Sequence, residues 1–108
     1  MALKIIFMGT PEFSVPILRS INLKYEILSV YTQPPKKRFR GQKIIKSPIH
    51  IEAEKLKLSV RTPENFNNES DYKFIKESNA NFVIVAAYGQ IISKKFLNIE
   101  NLIFLNIH

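Results

Sequence analysis

The sequence predicts an α/β fold in which helices cover both faces of a mostly parallel sheet. Short, predominantly apolar runs rich in β-branched and aromatic residues recur at residues 4–8, 25–31, 82–87 and 102–107. Strands that are buried on both faces have this composition. Segments with helical spacing lie between the runs, and strands that alternate with helices pair in parallel through right-handed crossovers. The expected architecture is therefore Rossmann-like.

The first strand, at residues 4–8, ends at Gly9, where a tight turn leads into a helix. Pro11 or Pro16 fits only the first turn of that helix, and Thr10 or Ser14 is a candidate for its cap. The sequence has neither the G-x-G-x-x-G pattern nor a P-loop, so nothing at this turn favours a dinucleotide or ATP.

Residues 32–46 are predicted to form a loop, because Pro34, Pro35 and Gly41 interrupt any regular element. The chain has a formal net charge of +7. No acidic residue lies between Glu26 and Glu52, and that interval contains Lys36, Lys37, Arg38, Arg40, Lys43 and Lys46. Such a local excess favours a polyanionic partner, and Phe39 within it can stack on a base. A solvated loop without a partner is an equal alternative.

The second half of the chain continues the alternation of helices and strands. A helix begins at Ser47 and Pro48, in the usual order of cap and first turn. Val60 marks a short third strand, and Ser70 or Asp71 caps the next helix. The remaining predicted elements are a strand at residues 82–87, a helical turn at residues 93–97 and a last strand at residues 102–107.

Composition excludes several classes of protein. The chain has 108 residues, of which 45% are hydrophobic, which is enough for one core and argues against disorder. It has no cysteine, so disulfide scaffolds, zinc–thiolate sites and cysteine nucleophiles are excluded. No metal site is expected. The N-terminal apolar run is too short for a signal peptide, and no run approaches the roughly 20 residues that span a membrane. A cytoplasmic protein is therefore expected.

Candidate site residues follow three of the predicted strands. Open α/β sheets bind ligands beyond the carboxyl ends of their strands. In this sequence Gly9 follows the first strand, the run Tyr88, Gly89 and Gln90 follows the fourth, and Asn106 and His108 end the fifth. We expect these three groups to converge on one cleft.

Asn106 and His108 carry the most specific chemistry of the three groups. Residues i and i+2 of a strand point to the same face, so the amide and the imidazole are expected side by side. An amide can donate a hydrogen bond to a developing oxyanion, and an imidazole can move a proton near neutral pH. On spacing alone, however, an Asn-x-His at a strand end also fits two polar residues without a catalytic role.

The sequence resembles the N-terminal third of the methionyl-tRNA formyltransferases. The resemblance is carried, in order, by "KIIFMGTPEFSVPIL", by "VYTQPP" with the following "RGQK" and "SP", by "VIVAAYGQI" and by "LNIH". It extends over essentially all 108 residues. The first block and the RGQK loop are its most specific parts, because other folate-dependent formyltransferases share the sheet and the Asn-x-His but not this loop.

The resemblance implies transfer of a formyl group from 10-formyltetrahydrofolate to the methionine amino group of initiator tRNA. It implies that Asn106 polarises the formyl oxygen and that His108 manages protons during the transfer. The pterin end of the folate would lie against Tyr88, Gly89, Gln90, Ile91 and Ile92, mainly through backbone groups. Arg40 would contact the acceptor end of the tRNA, with Arg38 and Lys43 beside it.

The sequence lacks motifs that the family has beyond the Asn-x-His: a folate loop, an Arg-Gly segment, the catalytic Asp and a C-terminal tRNA-binding domain. Residues 1–108 are therefore expected to be a partial formyltransferase domain, with a sheet incomplete at its C-terminal side, and a truncated, inactive fragment. Two alternatives remain open, namely a non-catalytic tRNA- or RNA-binding module and one subunit of a split enzyme. The exposed last strand is expected to favour self-association.

Overall fold

The structure, a computed structural model, describes residues 3–38 and 43–107. Its elements follow one another in the order β1 (Lys4–Gly9), α1 (Val15–Lys24), β2 (Glu26–Tyr31), β3 (Lys36–Arg38), β4 (Lys43–Ile45), α2 (Pro48–Lys55), β5 (Val60–Arg61), α3 (Glu69–Glu77), β6 (Phe82–Ala86), α4 (Lys94–Leu97) and β7 (Ile103–Asn106). A 3₁₀ turn, Glu12–Ser14, precedes α1. Five strands form one parallel sheet in the order β5-β2-β1-β6-β7. The predicted fold class, an α/β fold with a Rossmann-like parallel sheet and flanking helices, is confirmed.

Two apolar clusters, one on each face of the sheet, explain why the strands are apolar throughout. Successive residues of β1 alternate between them: Ile5 and Phe7 belong to the cluster that includes α1 and α2 residues, and Ile6 and Met8 to the cluster that includes α3 and α4 residues. All four side chains are buried. A strand with side chains in two cores has no solvent-facing side, so its sequence shows no polar alternation.

The strand order places a change of direction beside β1. From β1 the chain moves outward to β2 and β5, and it then crosses back to β6 on the other side of β1 and moves outward to β7. Ligands in open α/β sheets bind where the strand order reverses, beyond the carboxyl ends of the strands. The carboxyl ends of β1 and β6, where Gly9 pairs with Ala86, are therefore the expected position of a site.

The prediction of an irregular loop at residues 32–46 is wrong for part of the segment. Residues 36–38 and 43–45 pair as an antiparallel ladder, the basic hairpin, which is separate from the main sheet. Backbone hydrogen bonds form this ladder whatever side chains it carries. The sequence of β3 is wholly basic, and that of β4 has only two adjacent isoleucines, so neither strand shows the alternation by which half-buried strands are recognised. Residues 39–42, including Phe39 and Arg40, lie outside the described part of the chain.

The predicted helix caps are confirmed only in part. Ser14 takes the N-cap position of α1, but its side chain makes no capping hydrogen bond. The hydroxyls of Thr10 and Ser14 instead donate to the carbonyl oxygens of Tyr88 at 2.7 Å and Ala86 at 2.6 Å. The N-cap of α3 is Asn68, whose side chain accepts from the backbone N–H of Asp71 at 2.8 Å, and neither Ser70 nor Asp71 takes that position. The predicted cap of α2 is confirmed, because the Ser47 hydroxyl accepts from the N–H of the third helical residue at 3.0 Å.

Within the described residues, no helix is long and apolar enough to cross a membrane. The longest of these helices, α1, has ten residues, which at about 1.5 Å per residue is half the thickness of a hydrocarbon core.

Candidate functional site

The carboxyl edge of the sheet brings together the turn after β1 and the turn after β6. Gly9 approaches β6 so closely that a Cβ atom built on it would lie 2.9 Å from the Ala86 carbonyl oxygen and 2.9 Å from the Phe7 ring. Thr10 then donates to the Tyr88 carbonyl. Glycine at position 9 is thus required by a close backbone approach, which is the structural role that a turn glycine most often has.

A pocket of about 350 Å³ opens at this edge on the face covered by α4. Val85 of β6 and Phe104, Leu105 and Asn106 of β7 form one wall. Gln90, Ile92 and Leu97 complete the lining. The lining is mostly apolar with two amide side chains, which is the usual composition of a site for an organic ligand.

Asn106 lies at the last position of β7, opposite Val85, and is exposed to solvent. Its side chain lies at the rim of the pocket. Asn106 thus lines the same pocket as Gln90 and Ile92, whereas Gly9, Tyr88 and Gly89 are not among the lining residues, so the structure does not bring all three predicted groups into one cleft. His108, the second predicted catalytic residue, lies outside the described residues.

The segment at residues 88–92 consists of one buried residue and four that lie closer to solvent. Tyr88 is 1% exposed and packs edge-on against Phe66 at 5.7 Å between ring centroids. Gly89 has φ +94°, a backbone conformation that residues with a side chain rarely adopt. Ile91 is 83% exposed, and Ile92 is half-buried and lines the pocket.

The Tyr88 hydroxyl is buried without a hydrogen-bond partner among the described residues. Burial raises the pKa of this phenol above its ordinary value of 10, with a smaller contribution from the charge of Asp71. A phenol in this environment stays protonated, and Tyr88 does not line the pocket. Within residues 88–92, which the resemblance places against the folate, Tyr88 therefore has only its backbone and its packing to contribute to a binding site.

The predicted polyanion-binding residues lie on or beside the basic hairpin. Arg38 ends β3 and is paired across the ladder with Lys43 of β4, which is exposed. Arg40 lies outside the described residues.

A larger polar pocket, of about 660 Å³, lies at the opposite end of the sheet, where residues such as Asn79, Asn81 and Asn101 precede β6 and β7. It is remote from every predicted site residue that the structure describes. We assign the functional site to the smaller pocket, because the carboxyl edge is where sheets of this type bind ligands.

Gln33 is a residue of this edge that sequence reasoning missed. It follows β2 and donates from Nε2 to the Gly89 carbonyl at 2.8 Å, while its Oε1 accepts from Gln90 Nε2 at 3.1 Å. The signal that would have found it is the one used for the other strands, since Gln33 lies two residues beyond the carboxyl end of a predicted strand. The adjacent prolines and basic residues favour a loop instead.

Among the described residues, no group of three or more His, Cys, Asp or Glu side chains could hold a metal ion. The donors and acceptors at the pocket are amides and backbone groups.

Fold and pocket together define the class: an α/β protein with a parallel, Rossmann-like sheet and a ligand-sized pocket at its carboxyl edge. The chain belongs to the formyl transferase family, which it matches over residues 3–108. It is 54% identical over 110 residues to the methionyl-tRNA formyltransferase of Pelagibacter ubique, covering 100% of this chain and 36% of that protein.

Other relatives agree. The methionyl-tRNA formyltransferase of Paracoccus denitrificans is 44% identical over 106 residues, covering 98% of this chain and 36% of that protein. The methionyl-tRNA formyltransferase of Rickettsia rickettsii is 42% identical over 106 residues, covering 98% of this chain and 35% of that protein. The chain thus spans about a third of the length of the curated relatives it matches. The predicted resemblance to the N-terminal part of methionyl-tRNA formyltransferase is confirmed.

Proposed function

We propose that this chain forms the formyl-donor side of a methionyl-tRNA formyltransferase site. The reaction would transfer the formyl group of 10-formyltetrahydrofolate to the methionine amino group of initiator tRNA. One observation carries the proposal: Asn106 shares a pocket of about 350 Å³ with Gln90 and Ile92 of the predicted donor-binding segment. The relatives' name, methionyl-tRNA formyltransferase, supports the choice of reaction.

Asn106 is suited to polarise the formyl carbonyl. Its amide N–H groups can donate to the oxygen on which negative charge develops when the amine attacks the formyl carbon. The backbone that carries this side chain is fixed by pairing with Val85 at the end of β7, including the hydrogen bond from Ile107 N to the Val85 carbonyl at 2.8 Å. In the proposed reaction His108 accepts the proton that the amine loses and returns one to the departing tetrahydrofolate nitrogen.

The donor is proposed to bind against the backbone of residues 88–92. The main-chain N–H and C=O groups of Gln90 and Ile92 have no hydrogen-bond partner in the described part of the chain. Ile92 and Phe104 offer apolar surface beside them. Free backbone groups next to apolar side chains are suited to the edge and face of a pterin ring.

The acceptor tRNA is proposed to bind along the basic hairpin. Lys36 and Lys43 are exposed, and Arg38 is paired opposite Lys43. Cationic residues on a ladder outside the main sheet can neutralise backbone phosphates without reading sequence. The chain is then the partial domain predicted from the sequence, and a C-terminal tRNA-binding domain, as in the family, would act with it.

The 108 residues alone are proposed to give no turnover. Asn106 and the neighbouring Leu105 are exposed on β7, so the pocket is open to water on this side. Hydrogen bonds to a developing oxyanion lose much of their strength in a water-filled site. Incubation with 10-formyltetrahydrofolate and charged initiator tRNA is therefore expected to give no formyl-methionine above background, and clear turnover would contradict this part of the proposal.

Donor binding is tested by NMR titration of the chain with a stable reduced folate. Chemical-shift changes are expected at the amides of Gln90, Ile92 and Asn106, and Asn106→Ala should weaken binding while Asn98→Ala should not. Asn98 is a matched control because it is an exposed amide at the opposite end of the sheet. Shift changes confined to the larger pocket, or none at millimolar folate, would refute the proposed donor site.

A non-catalytic tRNA- or RNA-binding module is the second candidate, favoured by the separation of the basic hairpin from the main sheet. Salt-dependent tRNA binding is expected in both cases. The slope of log K against log salt should be smaller by roughly 0.7–0.9 for each phosphate that Lys43→Ala no longer neutralises. Lys24→Ala, at an exposed lysine of α1, is the control. Binding of tRNA without any binding of reduced folate would favour the module over the formyltransferase site.

A further inference from the structure

Three sequence-distant segments meet at Gln33, through its side chain and its backbone N–H. Its Nε2 donates to the Gly89 carbonyl at 2.8 Å, and its Oε1 accepts from Gln90 Nε2 at 3.1 Å. Its backbone N–H donates to the Thr10 hydroxyl at 3.3 Å, and that hydroxyl donates to the Tyr88 carbonyl at 2.7 Å. The ends of β1 and β2 are therefore hydrogen-bonded to the segment that follows β6.

Gln90 extends this network to the segment after β5. Its Nε2 also donates to the Pro63 carbonyl at 3.0 Å, and its Oε1 accepts from the Phe66 N–H at 2.7 Å. Both N–H donors of this amide are thus used within the protein, which fixes the orientation of the amide. Its side chain has no N–H left to donate to a ligand, so Gln90 can donate to a ligand only through its backbone N–H.

The network occupies some carbonyls of the segment and leaves others free. The carbonyls of Tyr88 and Gly89 accept from Thr10 and Gln33, and the Ile91 carbonyl accepts from Asn67 Nδ2 at 3.2 Å. Because side chains hold the carbonyls on both sides of Gln90, the backbone groups of Gln90 keep a fixed direction at the pocket wall.

We propose that Gln33 is a positioning residue for the donor-binding segment, residues 88–92. This inference rests on the proposed function for the identity of the ligand. The physical reason is that Gly89, with φ +94° and no side chain, has little to hold its own conformation. The hydrogen bond from the Gln33 side chain to the Gly89 carbonyl restrains this backbone instead. The two residues lie so close that a Cβ atom built on Gly89 would be 2.7 Å from Gln33 Nε2.

The test compares two substitutions of similar volume. Gln33→Met removes both hydrogen bonds, whereas Gln33→Glu removes only the bond to the Gly89 carbonyl, and only while the introduced carboxyl is ionised, because a carboxylate can accept from Gln90 but cannot donate. In its neutral form the carboxyl has an O–H that can donate to the Gly89 carbonyl and an oxygen that can accept from Gln90. A Glu carboxyl ordinarily titrates near pH 4.3, so about pH 3.5 and about pH 7.5 lie on either side of its titration.

NMR relaxation of the backbone amides of residues 89–92 is the main measurement, with the exchange rate of the Phe66 amide as a second. In Gln33→Met, order parameters should fall from about 0.85 to below about 0.6 at both pH values. The Phe66 amide should exchange roughly tenfold faster, as expected for loss of a neighbouring hydrogen bond. In Gln33→Glu the loss of order at residues 89–92 should occur at about pH 7.5 and be reversed at about pH 3.5, which a general loss of packing would not do.

Asn98→Asp is the matched amide-to-acid control and should change neither measurement. Reduced-folate affinity, measured on the same samples, should fall roughly tenfold in Gln33→Met. Unchanged order in both Gln33 variants, or pH-independent disorder in Gln33→Glu, would overturn the inference. Loss of order with no folate binding by the wild-type chain would support the positioning role and count against the proposed function.

Discussion

Replacing Tyr31 by phenylalanine is expected to lower the free energy of unfolding by about 2 kcal/mol. The Tyr31 hydroxyl, at the end of β2, donates to Asp71 Oδ1 of α3 at 2.6 Å. Both residues are buried. The hydrogen bond therefore joins the sheet to α3 just before the chain enters the Gln33 network.

The magnitude follows from what remains after the substitution. A hydrogen bond to a charged acceptor contributes about 1.5–3 kcal/mol. Asp71 keeps two further partners, because Arg61 Nε donates to Oδ1 at 3.2 Å and Asn68 Nδ2 donates to Oδ2 at 2.7 Å. The carboxylate is not left alone, and loss of a single hydroxyl oxygen creates little cavity, so a value in the middle of this range is expected. Asp71→Ala removes the acceptor of both Tyr31 and Arg61, so it should lower the free energy of unfolding further, by about 3–5 kcal/mol.

Urea unfolding followed by circular dichroism measures both variants. With a slope of about 1–2 kcal/mol per molar urea, the midpoint of Tyr31→Phe should fall by about 1–2 M. Tyr25→Phe, at a tyrosine that is 38% exposed, should stay within about 0.5 kcal/mol of the wild type. If Tyr31→Phe is as stable as the Tyr25→Phe control, the hydrogen bond to Asp71 does not stabilise the protein and the reasoning fails.

Three further substitutions test other parts of the structure. Gly89→Ala should cost about 1–3 kcal/mol in urea unfolding, because its φ is +94° and the new Cβ meets Gln33; a neutral result would contradict the observed backbone. The Arg19 guanidinium holds the pKa of Glu52 below its ordinary value of 4.5. The stability that this ion pair contributes is therefore complete above pH 4.5 and is lost as the pH falls through the lower pKa of the folded state. Acid unfolding of Glu52→Gln should show a weaker pH dependence below pH 4.5, and an unchanged profile would exclude the ion pair as the cause of that dependence. Ile103→Lys, at a side chain on β7 that is 54% exposed, should raise the concentration at which the chain self-associates in sedimentation, whereas equal association would place the contact elsewhere.

The sequence predicted the sheet well because burial on both faces determines composition directly. The run at residues 82–87 has side chains in both apolar clusters, among them Val83 and Ala86, so its predicted boundaries differ from the strand Phe82–Ala86 by one residue. Burial on both faces does not determine the composition of the basic hairpin. Its ladder is made by the backbone, and its residues Lys36 and Lys43 are exposed, so burial left no pattern to detect.

At the candidate site, the sequence by itself determined which strand ends carry polar chemistry. It placed Asn106 and the segment after β6 at one edge, since all parallel strands present their carboxyl ends on the same side. What it could not determine is how the polar side chains there are used. Thr10 and Ser14 have the composition of helix caps, yet their hydroxyls bond to carbonyls that lie 78 and 72 residues away in sequence.

Only the tertiary structure decided the roles of Gln33 and Gln90. The resemblance placed Gln90 against the folate without a role for its side chain, whose two N–H donors bond to Gln33 and to the Pro63 carbonyl. Gln33 was predicted to lie near the start of a loop, but its side chain donates to the Gly89 carbonyl. The physical reason is that composition reflects whether a residue is buried or exposed, whereas hydrogen bonding depends on which groups the fold brings within about 3 Å of each other.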